Sequence, residues 1–212
     1  METAQETLIH ERIDDIPLLI ATMAPRRATL MKIKLVEAID KHVQVHGNHT
    51  GLSIGYLMVI WLAFIMSQGS HAKSPMEAWV KKRRRILQRL LKQPIVVSDF
   101  TDDGPSKGHF RLGVGLKYLS DRETWERIEA AVWQTTVEVY DPELEHVRLD
   151  ASTGKGYHKV REDGIMQRGH SKDHRPDLPQ LKMMAASAEP AHLPIAHDVV
   201  SGEQADDQLY LP

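Results

Sequence analysis

One acidic residue stands where metal-dependent phosphoryl transfer is often carried out. In Val147–Thr153, V-R-L-D-A-S-T, apolar and polar residues alternate up to Asp150. Such alternation predicts a β-strand, and a carboxylate at a strand end supplies the oxygen ligands that Mg²⁺ prefers. Asp150 is therefore a candidate catalytic residue and metal ligand. The alternative is an acidic residue that ends a strand at a surface turn.

Two basic clusters are candidates for binding the phosphates of DNA, since Lys and Arg contact phosphate without reading sequence. The first is Lys81–Arg85, with Arg89 further along the same apolar-periodic segment. The second lies between the first two expected strands and comprises Arg168, His170, Lys172, His174 and Arg175. The candidate DNA-binding residues are Lys81, Lys82, Arg84, Arg85, Arg89, Lys172 and Arg175. The alternatives are a solvated helix face for the first cluster and a loop pinned by its own ion pairs for the second.

Helical periodicity dominates the first two thirds of the chain, where apolar residues recur at intervals of three and four. Helices are expected over Pro17–Met23, Leu30–His42, Leu52–Met66, Ser74–Lys92, Phe110–Leu119 and Asp121–Thr136. The sequence Ser74-Pro75-Met76-Glu77 predicts a capping box with Ser74 as the N-cap residue.

Around Asp141-Pro142 the helical period gives way to alternation, which is typical of strands. Strands are expected over Val147–Asp150, Leu181–Ser187 and Pro194–Val200, with a turn at Glu189–His192. The order of these elements predicts an α+β fold. We place an all-α domain for DNA binding or assembly at 1–140, and the strands at 141–212.

Composition excludes several classes of site. The chain has no cysteine, which excludes disulfides, thiolate zinc sites and Cys nucleophiles. His42, His46 and His49 match no common zinc spacing. We expect no signal peptide, because the acidic and polar N-terminus has neither a basic nor an apolar region. Leu52–Met66 is shorter than the roughly 20 residues of a membrane-spanning helix. We therefore expect a cytoplasmic protein that has no membrane partner.

The sequence resembles the N-terminal part of DDE-type insertion-sequence transposases over nearly its whole length. The residues that carry the resemblance are Ile13–Leu19, Gly51–Gly55, Trp61–Ala63, Arg148–Thr153 and, most specifically, Gly169–Gln180. The resemblance implies that 141–212 begins a ribonuclease-H-like catalytic domain, whose first three strands form an antiparallel meander. It also implies that Asp150 is the first catalytic acid.

In this family Mg²⁺ ions held by three acids support DNA strand cleavage and transfer. The resemblance implies that the second Asp and the Glu lie beyond the region this sequence covers. We therefore expect a truncated or split transposase, catalytically incomplete by itself. Its implied partners are double-stranded DNA at element ends and either its own copies or full-length transposase in a mixed oligomer. The alternative is a non-catalytic protein that binds DNA ends or assembles with transposase, as a repressor or an inert remnant.

Overall fold

The computed structural model describes residues 29–43, 51–101, 111–170 and 174–205. The chain divides into two compact units, Met1–Val139 and Tyr140–Pro212. The described part of the first unit is helical, and that of the second contains an antiparallel sheet. The fold is therefore α+β, as the sequence predicts.

Six α-helices and one short 3₁₀ helix are present in the described residues. Their bounds are α1 Thr29–Lys32, α2 Leu35–His42, α3 Ile54–Gln68, α4 Met76–Leu91, η1 Val97–Phe100, α5 Arg111–Leu119 and α6 Arg122–Tyr140. The helix predicted at Pro17–Met23 lies outside the described residues.

Helix α3 is the centre of the helical core, because it is apolar on nearly all sides. Its fully enclosed side chains include Leu57, Ile60 and Phe64. The Ser53 side chain accepts a hydrogen bond from the Tyr56 amide at the start of the helix. Gly69 ends it in the left-handed conformation that favours glycine. Among the described residues, no helix is long and apolar enough to cross a membrane.

A close backbone approach joins α2 to α3. The Gly55 amide donates to a carboxylate oxygen of Asp40 at 2.7 Å. Because this amide lies in the first turn of α3, it has no partner within its own helix. A negative charge at a helix N-terminus is also favourable for the helix dipole. Asp40 thus caps α3 from a neighbouring helix.

Two local predictions differ from the structure. The helix expected over Leu30–His42 is interrupted, because Lys34 adopts a left-handed backbone with φ of 51°. The capping box at Ser74 is wrong, since Pro75 is the N-cap residue of α4 and no side chain caps the helix. The turn closes instead through a hydrogen bond from the Met76 amide to the Lys73 carbonyl at 3.0 Å. The completely buried Met76 side chain anchors this start.

The sheet of the second unit is a meander in the order β1-β2-β3, with both pairings antiparallel. Its strands are β1 Leu144–Lys155, β2 Gln180–Pro190 and β3 Leu193–Ser201. Each extends beyond the predicted range at both ends. Ala191 and His192 alone connect β2 to β3, so the turn is shorter than the predicted Glu189–His192.

We expect Gly55→Ala to destabilise the helical unit by about 1–3 kcal/mol, the usual cost of overpacking a core. A Cβ at this position would lie 2.5 Å from the Val36 carbonyl oxygen, which belongs to the backbone of α2. The measurement is the free energy of unfolding from denaturant titration.

Gly115→Ala is the matched control for this substitution. Its added Cβ would lie 2.7 Å from the terminal methyl of Met58, a flexible side chain. Alanine also improves helix propensity, so the loss should be clearly smaller. Equal losses in the two variants would contradict the importance of the α2–α3 approach.

Candidate nucleic-acid interface

Helix α4 has a buried face and a charged face. Its buried side chains include Trp79, Val80 and Leu87. Because successive helical residues turn by about 100°, the opposite side of the helix collects a second set. We call this set the basic face, and it comprises Lys81, Lys82, Arg85, Arg89 and Lys92, all of them exposed.

The basic face is a continuous row of positive charge. Lys81 and Lys92 are eleven residues apart, which corresponds to about 16 Å along a helix. No member of the basic face forms an ion pair with another of the residues that the structure describes. Their charges are therefore available to an external anion. Lys92, which directly follows the last helical residue, was not among the predicted DNA-binding residues.

The other two arginines of α4 have structural contacts. The Arg83 guanidinium lies 4.8 Å from the ring centroid of Trp79, which indicates a cation–π interaction. Arg84, a predicted DNA-binding residue, donates through Nε to the Ile95 carbonyl at 3.0 Å. It therefore lies off the basic face and ties α4 to the segment that follows it.

Asp150 lies on strand β1, as predicted, and its side chain is exposed. The prediction that it ends the strand is wrong, as is the alternative of a surface turn, because β1 continues to Lys155. In the sheet register Asp150 is opposite Ala185, which is itself opposite His197. Asp198 is in register with Met184 and so belongs to the other face of the sheet. No carboxylate therefore lies in register with Asp150 on β2 or β3.

The described residues do not fit a Mg²⁺ centre. Mg²⁺ prefers near-octahedral oxygen coordination, usually with more than one carboxylate where the protein provides most ligands. Across the described segments, no group of three or more His, Cys, Asp or Glu residues is close enough to hold a metal ion. Asp150 stays a predicted ligand and catalytic residue, and we derive no chemical step through a metal.

The described parts of the connection between β1 and β2, residues 156–170 and 174–179, are held by a hydrogen-bonded scaffold. The Gln167 side-chain amide donates to the carbonyls of Arg161 and Gly164 at 2.6 and 2.8 Å. The backbones of Gln167 and Gln180 exchange two hydrogen bonds of 2.9 Å. The Gln180 side chain in turn donates to the Gly202 carbonyl at 2.9 Å. The segment around Gln167 is thus held against the start of β2.

Arg175 is engaged within the same connection. Its Nε and one terminal nitrogen donate to the two carboxylate oxygens of Asp177, both at 2.8 Å. These hydrogen bonds with Asp177 raise the pKa of Arg175. For Arg175, the contacts thus agree with the alternative interpretation, a loop held by its own ion pairs. Lys172, the other predicted DNA-binding residue of this cluster, lies outside the described residues.

Tyr157 and Lys159, which lie at the start of the connection, are not among the predicted site residues. Tyr157 is 89 % exposed, and Lys159 is exposed two residues later. The signal that could have found them is an aromatic residue among basic ones in Lys155–Lys159, K-G-Y-H-K. That pattern is typical of surfaces that bind single-stranded nucleic acid.

We expect the carboxyl group of Asp177 to titrate below its ordinary value of 3.8, mainly because of its hydrogen bonds with Arg175. A lowered pKa means that the pair stabilises the fold above the ordinary pKa. This contribution is lost as the pH falls through the lowered value. The measurement is a pH titration of the Asp177 carboxyl carbon by NMR. Arg175→Gln should move the pKa back up, and an unchanged titration in that variant would contradict the assignment.

Comparison of the chain with protein families, curated proteins and solved structures gives no match. The arguments for function therefore rest on the residues and their geometry. The clearest chemical capacity is that of the basic face of α4, a row of exposed cations able to contact a polyanion.

Proposed function

We propose that this chain is a DNA-binding protein of the DDE transposase type and acts in DNA transposition. The observation that carries the proposal is the basic face of α4, with five exposed cations; the acidic residue of α4, Glu77, lies one turn before Lys81. Each phosphate that such a cation contacts releases condensed counterions, which is a favourable and sequence-independent source of affinity. The partner is double-stranded DNA, and Lys81, Lys82, Arg85, Arg89 and Lys92 contact its backbone.

The sheet supports the same family. A ribonuclease-H-like catalytic domain would begin with an antiparallel meander, and β1, β2 and β3 are connected in that way. Asp150, which lies on β1, would be the first acid of that domain. We assign this sheet to the start of such a domain.

Binding is favoured over cleavage for the described residues. Two-metal strand cleavage needs several carboxylates around one phosphodiester, whereas Asp150 has none on the register positions opposite it. The second candidate function is therefore binding of DNA ends without catalysis, as in a repressor of transposition. Either function requires the basic face of α4 to bind duplex DNA.

The test is a titration of short duplex DNA with the full chain at several salt concentrations. The variant carries Lys81→Gln, Arg85→Gln and Arg89→Gln, all on the basic face. If all three residues contact phosphate, the slope of log K against log salt should fall by about 2.7, at roughly 0.9 per contact. Affinity at low salt should fall with it. The same reduction is expected on any duplex sequence, since phosphate contacts do not read bases.

The matched control removes three positive charges from other helices of the same unit, through Lys117→Gln, Arg122→Gln and Arg127→Gln. Arg122 and Arg127 already form ion pairs with Glu126 and Glu123 on α6. This control should keep the salt slope of the unmodified chain. Equal losses in the two triple variants would show a general charge effect and contradict the proposed face.

A further inference from the structure

The β1–β2 connection borders a second candidate site. The residues of this connection line an open groove with a volume of about 740 Å³. This volume is within the range of small-molecule and cofactor sites. The polar lining includes Tyr157, His158, Lys159 and Arg168, and the apolar lining includes Leu178 and Pro179. No part of the α4 basic face contributes to this groove, which belongs to the second unit.

An aromatic side chain is presented to solvent at the groove. Tyr157 is 89 % exposed, so its ring is almost uncovered at the edge of the groove. An uncovered aromatic ring offers a planar base a face on which to stack.

Two cations accompany the ring. Lys159 and Arg168 line the groove and are exposed. Neither forms an ion pair within the described part of the chain. The one carboxylate in the lining, Asp177, is neutralised by Arg175. The groove consequently presents net positive charge beside an aromatic surface.

The scaffold keeps these groups together. The backbone pairing of Gln167 with Gln180 fixes the residue before Arg168 against β2. The Gly156 amide donates to the Pro179 carbonyl at 3.2 Å, which fixes the residue before Tyr157. One side of the groove is thus tied to Gln180, the first residue of β2, and the other to Pro179 just before it. The ring and the cations therefore do not depend on a ligand to bring them together.

We propose that this groove binds single-stranded nucleic acid, with an unpaired base stacked on Tyr157 and neighbouring phosphates on Lys159 and Arg168. Stacking on an aromatic side chain accepts every base, while a basic groove follows the backbone. A paired base within a duplex has both of its faces covered by neighbouring bases and is closed to Tyr157. The groove therefore distinguishes unpaired from paired strands, unlike the basic face of α4.

The test measures binding of the full chain to labelled oligothymidylate and to a duplex of the same length by fluorescence anisotropy. Tyr157→Ala should weaken single-strand binding about five- to hundredfold, the range found when one base loses its aromatic partner. Tyr157→Phe, which keeps the ring, should retain most of the affinity. Both variants should bind the duplex like the unmodified chain. Thermal unfolding of each variant confirms that the sheet is intact.

Two further measurements separate the base from the phosphates. An abasic oligonucleotide keeps every phosphate and should bind the unmodified chain as weakly as oligothymidylate binds Tyr157→Ala. Lys159→Gln with Arg168→Gln should lower the salt slope of single-strand binding by about 1.4, at roughly 0.7 per contact on single strands. This double variant also tests the groove if the Tyr157 variants fail to fold.

Several results would overturn the proposal. One is equal binding of abasic and thymidylate strands, which would reduce the groove to a phosphate site. Another is loss of single-strand binding only when the basic face of α4 is substituted. Failure of duplex binding alone would count against the proposed function but not against this groove, so the two are tested separately.

Discussion

Burial of α3 is the constraint on which the helical unit depends. A helix that is apolar on nearly all sides has to be enclosed, and side chains such as Leu57 and Ile60 are completely removed from solvent. Enclosure requires neighbouring helices to approach closely, and Gly55 permits this approach beside the Val36 carbonyl. Asp40 then supplies an acceptor for an amide that the first turn of α3 leaves without a partner. Gly55 therefore serves both the packing of α3 against α2 and the hydrogen bond to Asp40.

The same packing creates the basic face. Helix α4 contributes Trp79, Val80 and Leu87 to the core, so the residues on its opposite side are directed outward. Arg83 and Arg84 lie between the two faces and are used within the unit, against Trp79 and the Ile95 carbonyl. Helix geometry therefore divides the run of basic residues into two groups: those that contact the rest of the unit, and those whose charges are free to bind an external anion. Only the second group is suited to a polyanion.

The fold class and most elements could be predicted because their periods are strong. The all-apolar α3, the alternating strands and the turn between β2 and β3 are local signals. The break at Lys34 and the start of α4 at Met76 could not be predicted, since core packing decides them and favours a buried Met76 over a cap by Ser74. The predicted site residues were found by charge, which does not reveal that Arg84 and Arg175 are already engaged. Tyr157 was not predicted as a site residue, because a single aromatic residue gives no periodic sequence pattern.

The three strands of the meander differ in how well their backbone amides are protected from hydrogen exchange. Strand β2 is paired along both of its edges, while β1 and β3 each pair with β2 alone within the described sheet. Val147 and Leu149 on β1 are 62 % and 48 % exposed, so little apolar burial adds to that outer pairing. The outer strands can separate while β2 keeps one partner, and local opening needs less free energy than global unfolding. Amide hydrogens of β2 should therefore exchange last, and the β1–β2 connection is anchored at one end to the most slowly exchanging strand.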